Sequence, residues 1–267
     1  MIKPKILVVL SDIHCGSTLG LMPPRFETNA GNIVTHGKNL HQIWLWKQWN
    51  NFWKEADSII NGQPFILLLN GDMTEGVHHG TTEIVAAKRR EHFEIAWKVL
   101  EPHTKKAEAS LFVAGTECHT NDMEDDLAKV LGGHQAKSKD KWLFEINGCL
   151  IDAAHHVGTT SRAYLEATAF SVTMGNAVLN QVRAEHRHAK VFLRGHRHCG
   201  GVFTDGAHMA VVTPGWQFLT RHGWKVVPDS VPRPGGVILD WRNVKEGKLP
   251  ASHQIFFNPP QDEISKF

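Results

Sequence analysis

The sequence lacks most of the features that would assign it to a specialised class of protein. Its four cysteines form no Cys-x-x-Cys pair, which argues against a zinc site built from paired thiolates: Cys15, Cys118, Cys149 and Cys199. No apolar run is long enough for a membrane span, and the first residues show no signal-peptide pattern. We therefore expect reduced thiols and a cytoplasmic protein without a membrane partner.

The chain also lacks a strong charge of either sign. Its 29 Lys and Arg nearly balance 27 Asp and Glu, and a net charge of +2 argues against a general polyanion binder. No internal repeat or shift in composition divides it. We predict a single domain over residues 1–267, with residues 15–60 a loop–helix insertion and residues 214–267 the C-terminal strands and loops.

Short apolar runs alternate along the chain with patterns typical of helices. Strands are predicted at 5–10, 65–69, 110–114, 142–146, 150–154, 190–194, 211–214, 236–240 and 254–257. Helices are predicted at 40–56, 83–100, 121–131 and 162–184, and residues 15–38 as a long loop. This order predicts the α/β class, in which ligand sites lie beyond the carboxyl ends of the strands.

The predicted helices carry apolar residues at helical spacing. In the first helix Ile43, Trp46, Asn50 and Trp53 would share a face, and we interpret its tryptophans as core residues rather than as a platform for stacking bases. The second is expected to start near Glu83 and to end at Pro102. The last has one apolar and small face: Leu165, Thr168, Val172, Gly175, Leu179 and Val182.

Among 18 histidines, several follow the predicted strands directly, together with carboxylates. Imidazole is the commonest metal ligand in proteins, and carboxylates complete mixed nitrogen and oxygen sites. The strand-end motifs are Asp12-x-His14, Gly71-Asp72, Gly115-Thr116-Glu117-Cys118-His119, His155-His156 and Gly195-His196-Arg197-His198.

This ordered set resembles the calcineurin-like metallophosphoesterase superfamily, whose motifs are D-x-H, G-D, G-N-H-[DE], a strand-end His and G-H-x-H. The resemblance runs from residue 12 to residue 198, and four of the five motifs fit. It implies a four-layer α/β/β/α sandwich with two mixed β-sheets. It also implies metal-dependent hydrolysis of phosphate esters, with phosphodiesters slightly preferred to monoesters.

The resemblance further implies two divalent metal ions. Manganese is preferred, with iron, zinc or nickel as alternatives. The pair would clamp a phosphoryl group and activate a metal-bound water as the nucleophile. Motif matching gives the first metal Asp12, His14, Asp72 and His198, and the second Asp72, His155 and His196, with Asp72 as the bridge.

The third motif departs from the family pattern. Thr116 stands where the family has a metal-binding Asn, and Glu117 where it has the catalytic His. Either His119 supplies that imidazole as the acid for the leaving group, or Glu117 or His119 replaces the Asn as a ligand; we favour the first. Glu75, three residues after Asp72, is expected to orient His119, whose pKa would lie near neutrality.

Other residues are candidates for binding the substrate. Arg162 at the start of a predicted helix is a candidate phosphate ligand, and His156 follows the strand-end His155, which we prefer as the metal ligand. His78 and His79 either line the cleft or lie in a surface loop. The cysteines beside the motifs are interpreted as small buried residues, with a redox sensor as the alternative.

Two other functions compete with phosphate-ester hydrolysis. The first is a metal-dependent nuclease on DNA or RNA, with a groove made by residues 15–38 and the tryptophan-bearing helix. The second is a non-catalytic scaffold with a degenerate site. A nucleic acid and a second copy of the chain therefore remain open as partners beside a phosphate-ester substrate.

Overall fold

The computed structural model describes residues 3–78, 80–120, 123–158, 166–227 and 230–260. Its strands are β1 (Ile6–Leu10), β2 (Arg25–Glu27), β3 (Ile33–Thr35), β4 (Ile66–Asn70), β5 (Ala109–Val113), β6 (Ser138–Lys139), β7 (Lys141–Ile146), β8 (Cys149–Ala154), β9 (Val191–Arg194), β10 (Gly201–Thr204), β11 (Met209–Val212), β12 (Gly235–Asp240) and β13 (Ala251–Phe256). Its helices are α1 (Leu40–Ile60), α2 (Arg89–Thr104), α3 (Glu117–Thr120), α4 (Met123–Val130), α5 (Glu166–Arg183) and α6 (Arg221–Val226), with a short 3-10 turn at His134–Ala136.

Two mixed sheets form the centre of the fold. Within the described ranges, one sheet has the order β13-β12-β1-β4-β5-β6 and the other β10-β11-β9-β8-β7. In the first sheet β1, β4 and β5 are parallel neighbours, and in the second β9 runs parallel to β8 and β11. The mixed α/β class predicted from the sequence is confirmed.

Alternation along β1 explains how the first sheet is covered on both faces. Leu7 and Val9 belong to the apolar cluster shared with the second sheet, whereas Ile6, Val8 and Leu10 face the helices. Successive side chains of a strand point to opposite faces. All five residues are therefore buried, which is why the strand reads as a continuous apolar run.

The loop predicted at residues 15–38 contains a small hairpin. Arg25–Glu27 pairs antiparallel with Ile33–Thr35. The segment is also tied to the residues before α2, because the Thr18 N–H donates to the Glu83 carbonyl and the Val85 N–H to the Gly16 carbonyl. Those bonds keep residues 83–88 out of the helix, so the expected helix start near Glu83 is wrong.

The ends and faces of three helices differ from the prediction. The α1 helix extends to Ile60, and the α2 helix continues through Pro102 to Thr104. The α1 face against the first sheet includes Leu45, Trp49, Phe52, Ala56 and Ile60. Of the predicted face, Trp53 is buried as expected, whereas Ile43 is 43% exposed, so that face is wrong in part. Contact with the sheet determines which face of the helix is buried, and the apolar periodicity alone did not distinguish that face from the adjacent ones.

The α5 helix presents much of its apolar face to solvent. Val172, Leu179 and Val182 are exposed, and Phe170 packs with Val212 on the second sheet. The prediction that they share a packed face is wrong, because the helix touches the sheet through a different side. None of the described helices has the length and apolarity needed to cross a membrane.

Candidate metal centre

The strand-end motifs converge where the carboxyl ends of both sheets meet. Asp12 and Asp72 follow the parallel strands β1 and β4. His155 follows β8, and His196 follows the neighbouring β9. The His196 N–H donates to the Asp12 carboxylate at 3.0 Å, which fastens the two sheet edges to each other.

Five of the predicted ligands have a left-handed backbone. Their φ angles are 53° at Asp12, 50° at His14, 55° at Asp72, 70° at His196 and 53° at His198. Such angles cost a non-glycine residue on the order of 1–3 kcal/mol and persist only where the surroundings enforce them. The clustering of strained residues at the junction of the two sheets marks it as a functional site.

Backbone bonds between the loops enforce these conformations. The Asp12 N–H donates to the Gly71 carbonyl at 2.9 Å, and the His14 N–H donates to the Asp72 carbonyl at 3.0 Å. On the other side of the same loop, the Trp216 N–H donates to the Asp12 carbonyl at 2.7 Å. The loops after β1 and β4 therefore hold each other in place.

The glycines of two motifs are required by close packing. A Cβ at Gly195 would overlap the Ser11 hydroxyl and lie 2.9 Å from Asp12 Oδ2. A Cβ at Gly71, where φ is 87°, would overlap the His155 ring. A side chain at either position would push a predicted ligand out of place.

Asp12, His14 and His198 form the first cluster. His14 Nε2 lies 3.0 Å from His198 Nε2, and Asp12 Oδ1 lies 3.4 Å from His198 Nε2 and 4.0 Å from His14 Nε2. The opposite nitrogen, His14 Nδ1, lies 2.8 Å from Glu75 Oε2 and donates to it. Carboxylates hold metal-binding histidines in this way, with the lone pair of Nε2 directed at the metal.

Asp12, Asp72 and His155 form the second cluster. His155 Nε2 lies 3.0 Å from Asp72 Oδ2 and 3.8 Å from Asp12 Oδ1. Its Nδ1 donates to the Asn70 carbonyl at 2.7 Å. Asp12 Oδ1 thus belongs to both clusters, whereas Asp72 contacts the second through His155. The bridging role of Asp72 stays a prediction.

Charges in the cluster shift the pKa values of its buried groups. Burial alone would raise the pKa of Asp12 and Asp72, but neighbouring imidazoles, His155 above all, lower the first to about 2 and the second further. Burial would lower the pKa of His155, yet Asp72 and Asp12 raise it to about 10. The two carboxylates therefore stay ionised in a buried place and need cations opposite them. Divalent metals fit this donor set.

Comparisons with known proteins give structural neighbours only. No protein-family model and no curated protein matches the sequence. A solved archaeal phosphodiesterase matches with a TM-score of 0.44 and 12% identity, covering 94% of this chain and 99% of that one. Vps29 from Entamoeba histolytica, solved in complex with zinc, matches with a TM-score of 0.42 and 11% identity, covering 95% and 99%. A predicted phosphoesterase from Streptococcus pneumoniae matches with a TM-score of 0.36 and 12% identity, covering 96% and 100%.

These neighbours have the calcineurin-like metallophosphoesterase fold. The motifs of this chain resemble the same superfamily. At such low identity and TM-score the neighbours decide nothing about chemistry. The roles of the remaining motif residues are therefore inferred from their contacts in this chain.

Thr116 lies at the position where the metallophosphoesterase pattern has its metal-binding Asn. Its backbone N–H donates to Asp72 Oδ1 at 2.6 Å, and its hydroxyl lies 3.1 Å from Asp72 Oδ2. The same hydroxyl lies 3.2 Å from His196 Nδ1. Thr116 therefore contacts two predicted ligands of the second metal, while Glu117 begins α3 with an exposed side chain.

His119 also lies at the centre, with its ring edge-on to His14 at a centroid distance of 4.8 Å. Its Nδ1 donates to the backbone carbonyl of Glu75 at 2.9 Å. Burial and the nearby His14 lower its pKa to about 4, below the near-neutral value expected from the sequence. An anionic phosphate beside the ring would favour the protonated form and raise that pKa.

The expected contact between the Glu75 carboxylate and His119 is replaced by another. The carboxylate instead contacts His14 Nδ1 at 2.8 Å and His78 Nε2 at 3.0 Å, and it accepts a bond from Gln217 Nε2 at 2.8 Å. The short turn 75–78 directs the side chain toward the first cluster and leaves only its carbonyl for His119. Glu75 thus orients a predicted metal ligand as well as the predicted acid.

Two residues at the centre were missed in the sequence. Gln217, which bonds Glu75, lies five residues beyond the end of β11. Asn70, whose carbonyl accepts the bond from His155, precedes the Gly71-Asp72 motif. Asn70 acts through its backbone carbonyl, which its residue type does not reveal, and nothing in the sequence distinguished Gln217 from other polar residues.

Of the two predicted substrate-binding residues, only His156 lies within the described part of the chain. The exposed His156 has its ring 5.0 Å from the His155 ring and 4.8 Å from the His196 ring, and its donor atom lies within 4.8 Å of theirs. The prediction for Arg162 lies outside the described residues, as does the one for His79. The preferred ligand His155 is the buried member of its pair.

Proposed function

We propose that this protein hydrolyses phosphate esters with two divalent metal ions held at the junction of its sheets. The observation that supports the proposal most is the pair of buried, ionised carboxylates, Asp12 and Asp72, facing the Nε2 atoms of His14, His155 and His198. A metal site explains why carboxylates and imidazoles from distant segments converge here, whereas a purely structural role does not.

In this proposal the chain supplies the metallophosphoesterase ligand set and the four-layer α/β/β/α arrangement. Asp12, His14, Asp72 and His198 hold the first ion, and Asp72, His155 and His196 the second, with Thr116 beside it. Manganese is preferred. Two such ions would polarise the phosphoryl oxygens and lower the pKa of a bound water.

The residues around the ligands have positioning and proton-transfer roles. Glu75 and the Asn70 carbonyl fix the rings of His14 and His155. His119, held at Nδ1 by the Glu75 carbonyl, donates a proton from Nε2 to the leaving oxygen of the ester. Loss of this proton donor affects esters with poor leaving groups most, since good leaving groups depart unprotonated.

A cleft beside the centre gives room for the rest of the substrate. It has a volume of about 370 Å³, and its lining includes Glu75, His78, Arg221 and Lys225. The cationic side chains of Arg221 and Lys225 suit an anionic ester. The cleft supports phosphodiesters over monoesters, because it accommodates a second group on the phosphate.

The test is hydrolysis of bis-p-nitrophenyl phosphate, p-nitrophenyl phosphate and single-stranded DNA by the Mn²⁺-loaded protein. We expect turnover of the first at least, lost in Asp72→Asn while circular dichroism stays unchanged. Cleavage of DNA alone would replace the proposal by the nuclease alternative. Bound metal without turnover of any of the three would support a non-catalytic scaffold instead.

A further inference from the structure

A second group of metal-binding side chains lies beside the centre and includes a thiol. One donor atom from each of His78, Cys118 and His119 lies within 4.8 Å of the others. The rings of His78 and His119 meet edge to face, with centroids 4.4 Å apart. All three side chains are half-buried, so a cation from solvent reaches them.

Glu75 orients both imidazoles of this group. Its Oε1 lies 3.0 Å from His78 Nε2, and its backbone carbonyl accepts the bond from His119 Nδ1 at 2.9 Å. In the neutral rings the lone pairs are then on His78 Nδ1 and His119 Nε2. Acceptors on the far nitrogen are the usual support of histidine ligands in metal sites.

The backbone brings the three residues together from two separate segments, the turn after β4 and the short helix α3. Gly76 has a φ of 70°, and a Cβ there would overlap the His119 carbonyl and lie 3.0 Å from the Cys118 carbonyl. The turn that carries His78 is therefore packed directly on α3. The sequence contains no Cys-x-x-Cys pair, and this site could not be recognised from spacing because its ligands are distant along the chain.

We propose that His78, Cys118 and His119 form a third cation site, separate from the two expected metal positions, that takes Zn²⁺. Two imidazoles and a thiolate are ligands that zinc prefers over the harder Mn²⁺ and Mg²⁺. Three protein ligands leave a fourth position for water or for a substrate oxygen. Binding releases the Cys118 thiol proton to solvent and forms the zinc–sulfur bond.

The site has a consequence for hydrolysis, and this part rests on the proposed function. His119 Nε2 cannot bind a cation and carry a proton at the same time. Zinc at the third site therefore removes the proposed acid and inhibits hydrolysis, most strongly for esters whose leaving group needs protonation.

Cobalt tests the site without any need for activity, because Co²⁺ substitutes for zinc and gives an ultraviolet charge-transfer band only with a thiolate ligand. The wild-type protein with its nitrogen and oxygen sites already loaded with Mn²⁺ should show this band on titration with Co²⁺. Cys118→Ser should lose it, whereas the matched control Cys199→Ser, beside the ligand His198, should keep it. A band that persists in Cys118→Ser, or Co²⁺ binding without the band, would overturn the proposal.

Inhibition is measured separately on the Mn²⁺-loaded protein. The Zn²⁺ concentration that halves the turnover of an alkyl phosphate ester, whose leaving group needs protonation, should rise at least tenfold in Cys118→Ser, as expected for loss of a ligand. An unchanged concentration would overturn the inhibitory role. Absence of any turnover would instead count against the proposed function, while the cobalt band would still decide the site.

Discussion

Nε2 of His14 lies 3.0 Å from Nε2 of His198, although these residues are 184 positions apart. Glu75 accepts the proton of His14 Nδ1, so a neutral His14 directs its lone pair at the partner ring. Two lone pairs at this distance repel unless a proton or a metal ion lies between them. Against the effect of burial, hydrogen bonding to Glu75 raises the pKa of His14 and favours a shared proton between the two rings, and a metal ion would take the place of that proton.

Glu75→Gln should weaken metal binding at the first cluster. The amide keeps the size of the side chain but removes the charge that holds His14 and contacts His78. Loss of such a supporting carboxylate lowers metal affinity about 10- to 100-fold. Titration with Mn²⁺, followed by the paramagnetic resonance of the free ion, measures it. The control is Glu101→Gln, whose carboxylate pairs with Lys105 on the surface and should leave the affinity unchanged. Equal affinities in the two variants would refute the role of Glu75.

Gly195→Ala should lose metal binding and about 1–3 kcal/mol of unfolding free energy, because the new Cβ overlaps the Ser11 hydroxyl and crowds Asp12. Gly175→Ala is the matched control. Nothing lies within 4 Å of a Cβ at Gly175, in the middle of α5, so alanine there should stabilise by about 0.5–1 kcal/mol. Urea unfolding and metal analysis of both variants check the pair. A Gly195→Ala protein with full stability and full metal content would contradict the packing argument.

His103 should make the fold sensitive to mild acid. Its ring stacks on Trp53 with centroids 3.8 Å apart, and burial, with some help from Lys106, lowers its pKa to about 3. In the unfolded chain the pKa of this histidine is about 6.5. Between the folded and unfolded pKa values the unfolded state therefore binds the proton and is stabilised relative to the folded state. The contribution of His103 is complete above about pH 6.5 and is lost as the pH falls toward the folded pKa, by at most about 2 kcal/mol at pH 5.

His103→Phe removes the titrating group and keeps a ring on Trp53. Its unfolding free energy should fall less than that of the wild type between about pH 7 and pH 5, and the difference should approach the same 2 kcal/mol. Urea curves at the two pH values measure it. Parallel losses in both proteins would mean that other groups carry the acid sensitivity.

Trp49 should act as a core residue and not as a surface for stacking bases. It is buried on α1, and its ring meets the Trp216 ring edge to face at 4.9 Å. Trp49→Ala should lower the unfolding free energy by about 3–5 kcal/mol. The same change at Trp224, which is 56% exposed, should cost less than about 0.5 kcal/mol. A Trp49→Ala protein as stable as Trp224→Ala would remove α1 from the core.

The sequence was most informative where one local rule decides the outcome. A continuous apolar run such as Ile6–Leu10 must be buried on both faces, so β1 and the polar residues after it were predictable. The hairpin around Asn147 was predictable from another local rule, because Asn-Gly selects a tight turn. The α/β class followed from these elements.

What the sequence did not reveal depends on contacts between distant segments. The start of α2 is set by backbone bonds from residues 16–18, and the buried face of α1 is set by the sheet. The partner of the Glu75 carboxylate depends on the turn that carries it. The proposed thiol site depends on the contact between the turn that carries His78 and the helix α3, and no spacing rule along the chain predicts that contact.

The left-handed backbone of the predicted ligands limits how this protein can change over generations. Asp12 and Asp72 have φ angles that asparagine tolerates well, whereas β-branched residues do not. One nucleotide separates the codons of aspartate and asparagine. A lineage that drifts through Asp→Asn at these positions keeps its loops and loses its charge, so the fold offers a short route from the proposed hydrolase to a binding protein of unchanged shape.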